Sequence, residues 1–69
     1  MERLLTPSEV AEILALPVVS LYGMRHRGQG PPAIRVGRSL RYGADALEEW
    51  LDEQRTAEAD RLRRMGASR

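Results

Sequence analysis

Cysteine is absent from this 69-residue chain, and with it any disulfide framework or thiolate metal site. Long apolar runs are missing as well. The longest span only a few residues and follow no basic leader, so neither a secretory signal nor a transmembrane segment is expected, and the chain reads as soluble and cytoplasmic, without membrane contact. At this length one small core is all that can form, with little room for an enclosed active site. The pairings that carry catalysis are also missing: there is no nucleophile beside a base and no glycine loop shaped to cradle phosphate. The fragment Gly28-Gln29-Gly30 is too short to count as one. His26 is the only histidine, so nothing completes a metal site around it. A non-enzymatic protein that needs no cofactor and no metal is expected.

Lysine is the next absence. All eleven basic residues are arginine, a usage that a GC-rich coding sequence produces and that recognition of phosphate and guanine edges also favours. Net charge is only +1, but it is unevenly spread. From Ile13 to Ala44 there is no acid, while Arg25, His26, Arg27, Arg35, Arg38 and Arg41 all fall in that stretch. Asp45, Glu48, Glu49, Asp52 and Glu53 then follow within nine residues. A cation-only segment beside an acidic one points to a polyanion as partner for the first.

Local signals divide the chain into short elements. Thr6-Pro7-Ser8-Glu9 has the form of a capping box with proline at the first helical position, and Leu5 with Val10 can staple it. A helix is expected from Pro7 to about Ala15, with Val10, Ile13 and Leu14 inward. Leu16-Pro17 breaks it. A second helix follows, roughly Val18 to Arg27, with Leu21 and Met24 inward and Gly28 as the residue that ends it. The tract Gly28-Gln29-Gly30-Pro31-Pro32 is a loop. From Ala33 to Tyr42 the period becomes two, the mark of a β-hairpin. A three-residue loop, Gly37-Arg38-Ser39, is expected because it puts Ile34, Val36, Leu40 and Tyr42 on one face and pairs Arg35 with Arg41 on the other. From Ala44, the spacing of Leu47, Trp50 and Leu51 predicts a helix that packs Trp50 into the core. Residues 1–55 thus form one domain, and residues 56–69 a polar extension, helical or disordered.

The candidate contacts lie on the second helix and the hairpin. Two opposed arginines with a third at the tip would repel one another until a run of phosphates met them; the bland alternative is a solvated face. Arg25, His26 and Arg27 either touch a nucleic-acid backbone or complement the negative end of their helix. Tyr22 is read first as core and alternatively as a phosphate contact, while Tyr42 and Trp50 are read as core. Val18, Val19, Ser20 and Gly23 would face a DNA groove yet offer few donors, so direct base readout is expected to be modest. The acidic run is a solvated helix face rather than a catalytic pair.

Taken together, Leu5-Thr6-Pro7-Ser8-Glu9-Val10-Ala11-Glu12-Ile13-Leu14, Ser20-Leu21-Tyr22, Arg27-Gly28, Ile34-Arg35-Val36-Gly37-Arg38, Arg41-Tyr42 and Asp45-Ala46-Leu47-Glu48-Glu49-Trp50-Leu51 resemble the excisionase family of MerR-like winged helix-turn-helix proteins. The likeness spans Leu4 to Leu51 and departs from the family at Pro17, Gly23 and Arg25. It implies a mainly α fold with a small β-hairpin: a helix-turn-helix, a two-stranded wing and a C-terminal helix. It further implies a phage-borne or element-borne factor that binds and bends double-stranded DNA at repeated sites, self-associates there, and steers an integrase, a tyrosine or serine recombinase, toward excision. The DNA-binding residues it implies are Ser20, Tyr22, Arg25, His26, Arg27, Arg35, Arg38, Ser39 and Arg41. A small transcriptional regulator is the alternative that shares every contact.

Overall fold

A computed structural model of the chain describes residues 1–67; the last two residues of the expected extension lie outside the described residues. The elements run β1 (Leu4–Leu5), α1 (Pro7–Leu14), α2 (Val18–His26), β2 (Ile34–Val36), β3 (Ser39–Gly43) and α3 (Ala44–Ala67). The architecture is the expected one, mainly helical with a hairpin wing and a C-terminal helix. A third strand, β1, adds to the hairpin and makes the sheet order β1-β3-β2, antiparallel throughout.

Local chemistry accounts for the two short helices. At the start of α1 the Glu9 amide donates to the Thr6 hydroxyl at 3.1 Å and the Thr6 amide donates to the Glu9 carboxylate at 2.8 Å, which closes the capping box. The helix ends before proline is reached. Ala15 takes a left-handed conformation (φ 57°), and the amides of Ala15 and Leu16 turn back to the carbonyls of Glu12 and Ala11. Glycine usually holds such a position, because a Cβ is strained there. At the end of α2 the same motif recurs with the expected residue, Gly28 at φ 70°, whose amide donates to Arg25 while that of Gln29 donates to Met24. Pro17 caps α2 with no side-chain hydrogen bond.

The core is small: Leu5, Val10, Ala11, Leu21, Tyr42 and Leu47 are buried, and Leu14, Met24, Ala33, Ala44, Trp50 and Leu51 pack around them. Thus α1 contributes Val10 and Ala11, whereas Ile13, expected inward, is exposed. One helical turn buries only two adjacent positions here because α1 is two turns long and meets its neighbours along a single narrow stripe.

The hairpin register corrects the expectation. The pairs are Val36 with Ser39, Arg35 with Leu40 and Ile34 with Arg41, so the turn is the two-residue Gly37-Arg38. Of those two, only Gly37 has positive φ (62°), as a type II′ turn requires. Paired residues share a face, so Arg35 lies with Leu40 and Tyr42, while Arg41 lies with Ile34, Val36 and Ser39. The expected register rested on burying Ile34 and Val36. Both are about half exposed, at 52% and 51%, so no buried face on β2 governs the pairing and the turn decides it.

The N-terminal segment starts α3. Strand β1 pairs Leu4 with Gly43 and Leu5 with Tyr42. Just before it, the Arg3 carbonyl accepts from the Ala44 amide at 2.8 Å and the Glu2 carboxylate accepts from the Ala46 amide at 2.9 Å. Two of the amides that any helix leaves unpaired at its start are satisfied from the far end of the sequence. After Leu51, α3 leaves the core, and every residue from Asp52 to Gly66 except Asp60 is exposed.

Candidate nucleic-acid interface

Helix α2 follows α1 through a three-residue turn and presents two faces. Leu21 is fully buried and Met24 packs beside it, while Val19, Tyr22 and His26 turn away from Leu21 and are exposed; Val18 and Arg25, exposed as well, flank Leu21 one turn before and one turn after it. Ser20 is half-buried and Arg27 exposed at the C-terminal end. Tyr22, at 47% exposure, is not a core residue as first read. The inward side of α2 is filled by Leu21 and by Tyr42 arriving from β3, which leaves no place for a second tyrosine.

The wing turns toward this face. Arg35, Arg38, Ser39 and Arg41 line a shallow groove of about 340 Å³ together with Leu40 and, from the helices, Pro7 and Tyr22. Arg35 and Arg41 therefore meet at one groove, although they sit on opposite faces of the ribbon and are not cross-strand partners. The argument from direct repulsion between them lapses with that register. Arg41 also donates to its neighbour, the Leu40 carbonyl, at 2.7 Å. Two further depressions, of about 550 and 430 Å³, follow the projecting half of α3 and gather no comparable set of groups.

The distribution of ion pairs separates two kinds of arginine. Along α3, Arg55 pairs with Asp52, Arg61 with Glu58 and Arg63 with Asp60. These exposed one-turn pairs are screened by solvent and mainly neutralise the helix surface. Among the described residues, Arg25, His26, Arg27, Arg35, Arg38 and Arg41 have no carboxylate within ion-pair distance. Arg27 instead donates to the Gln29 side chain at 3.2 Å. The acid-free segment of the sequence thus keeps its arginines out of ion pairs in the fold, and Glu9 of α1 is an acid that Arg41 influences.

Two titratable groups near the wing carry the mark of their surroundings. Glu9 is held below the usual carboxylate range, first by the Thr6 amide; desolvation opposes this, and the Thr6 hydroxyl, Arg3 and Arg41 lower it further. Burial pushes the Tyr42 hydroxyl up, and the positive charge of Arg25 partly offsets this. That hydroxyl is buried with no hydrogen-bond partner among the described residues, an uncommon condition in a folded protein. No group of three or more histidine, cysteine or acidic side chains among the described residues is placed to hold a metal ion. No helix among them is long and apolar enough to cross a membrane.

Two short helices joined by a tight turn, with an arginine-lined β wing whose groove is also lined by Pro7 of the first and Tyr22 of the second, define a winged helix-turn-helix protein. The chain belongs to the helix-turn-helix domain family, which matches residues 4–55. It is similar to two proteins from different strains of Mycobacterium tuberculosis, each named as an inferred DNA-binding protein, at 40% identity over 50 residues. That alignment covers 72% of this chain and 63% of each relative, so the chain spans less than two thirds of their length. No solved structure matches it.

Sequence reasoning placed the arginines on α2 and the wing but missed Pro7 and Leu40 as walls of the groove. Nothing local signals them, since their neighbourhood is set by how the wing docks on α1. Nor did it find Glu2, whose partner lies 44 residues away.

Proposed function

We propose that this protein binds double-stranded DNA, with the exposed face of α2 in the major groove and the wing against the adjacent backbone or minor groove. The observation that carries the reading is that Arg25, Arg27, Arg35, Arg38 and Arg41 are left without carboxylate partners while the arginines of α3 are largely paired. Arg35, Arg38 and Arg41 hold phosphates along the wing groove with Ser39, and Ser20, Tyr22, Arg25, His26 and Arg27 position the helix. A module of this size buries only roughly 600–1,000 Å² on DNA, so a single copy binds weakly and cooperative occupation of repeated sites follows.

The particular role we propose is that of an excisionase, an accessory factor that bends attachment-site DNA and steers an integrase toward excision. What supports it is the likeness of the α1, wing and Leu47-Trp50-Leu51 sequences to that family. Gel-shift titration over a salt series tests DNA binding. Five arginines each neutralising one phosphate give a log–log salt slope of about −4.5, and Arg38→Ala reduces its magnitude by about 0.9. Affinity indifferent to salt, or unchanged in Arg38→Ala, refutes the DNA reading. A recombination assay with the cognate integrase tests the role. Excision and integration rates that ignore the protein leave a DNA-binding domain but no excisionase.

A further inference from the structure

The outward face of α2 is apolar where a base-reading helix would ordinarily be polar. Val19 is 71% exposed and Val18 stands beside it at the start of the helix, with Tyr22 one turn further on. Val19, held mostly in water, gains little for the fold, and Val18 leaves 37% of its surface uncovered next to it. The same turn carries no amide, hydroxyl or charged side chain that could pair with a base edge, apart from the half-buried Ser20. Charge frames this apolar strip. Arg25 and His26 extend the exposed face toward the C-terminal end of α2, and Tyr22 leads from it into the arginine-lined groove of the wing. A partner that fits must present small apolar groups between rows of negative charge. In the major groove of DNA the C5 methyl of thymine is the one apolar group on the base edges, and phosphates flank it on both sides.

We infer that Val18 and Val19 seat against thymine methyl groups, so that α2 selects its site by apolar contact with thymine rather than by hydrogen bonds to guanine or adenine. The inference rests on the proposed DNA reading and adds the class of base recognised. It also accounts for the scarcity of hydrogen-bonding side chains on this face: specificity resides in methyl contacts, and affinity in the arginines around them. Neighbouring thymines in the footprint of α2 follow, because Val18 and Val19 are adjacent along the helix.

The test uses the full chain. A bound duplex is selected from a random-sequence pool, and single thymines within it are replaced by deoxyuridine, which deletes the methyl and leaves the pairing edge intact. Each methyl removed beneath α2 is expected to weaken binding about fourfold, the equivalent of one buried methylene at ~0.8 kcal/mol. A 5-methylcytosine·guanine pair at the same position is expected to bind more tightly than a cytosine·guanine pair, because it restores the methyl alone. In Val19→Ser, a change at an exposed position, the deoxyuridine penalty disappears at one position. Salt-dependent binding that is indifferent to deoxyuridine at every thymine overturns this inference and leaves the DNA reading standing. Binding that ignores salt overturns both. If Val19→Ser instead abolishes self-association in sedimentation while base preference is unaltered, the face is a protein contact and the inference falls.

Discussion

Removing the Glu2 side chain should unwind the start of α3 from a distance of 44 residues, and the effect should vanish when Gly43 is already alanine. The Glu2 carboxylate accepts the Ala46 amide at 2.9 Å and does for α3 what a capping side chain does from within a helix. Losing such a cap costs about 1 kcal/mol. In a domain of this size that lowers Tm by roughly 4–8 °C. Gly43 does not need glycine for its backbone, since positive φ among the described glycines occurs only at Gly28 and Gly37. What it needs is space, because an added Cβ would fall inside van der Waals contact of the Glu2 carboxylate. That carboxylate is the free end of a side chain, so in Gly43→Ala it swings away and the same cap is lost. Alanine returns about 0.4–1 kcal/mol by restricting the unfolded chain. Glu2→Ala should therefore cost about 1 kcal/mol in the native sequence and close to nothing in the Gly43→Ala background, a coupling readable in a double-mutant cycle by thermal and urea denaturation. Additive costs would refute the reasoning, as would an unchanged Tm in Glu2→Ala alone.

Two further outcomes concern buried and capping groups, beside the salt and thymine predictions above. Tyr42 is 1% exposed with an unpartnered hydroxyl, so Tyr42→Phe should leave stability in neutral buffer unchanged or raise it by up to ~1 kcal/mol, measured by denaturation. Because burial raises the folded-state pKa of Tyr42, the native protein loses stability as pH rises through that value, and Tyr42→Phe should flatten this alkaline decline. Glu9 behaves with the opposite sign. Its pKa is lowered in the folded state, so its contribution is present above the ordinary carboxylate value of 4.5 and is lost as pH falls through the lower folded value. Glu9→Gln should remove that portion of the acid sensitivity; Tm–pH curves that superimpose for the two proteins would contradict the assignment.

The sequence by itself determined what depends on neighbours along the chain. The capping box at Thr6 to Glu9, the end of α2 at Gly28 and the apolar spacing of Leu47, Trp50 and Leu51 are signals within a few residues, and each element formed where they lie. The segregation of cations from acids was equally legible, since it is a property of order alone. Tertiary structure decided the rest. Strand β1 is two residues long and carries no periodicity, so only its pairing with β3 makes it a strand. Tyr22 and Tyr42 are the same residue type, and which is buried followed from β3 carrying Tyr42 into the core cluster that Leu21 enters from α2. The wing register escaped sequence reasoning because alternation fixes pairing only where one face is buried, and β2 has none. The tight turn at Gly37-Arg38 chose instead, and by placing Arg35 and Arg41 on opposite faces it made their convergence on one groove a product of docking rather than of strand pairing.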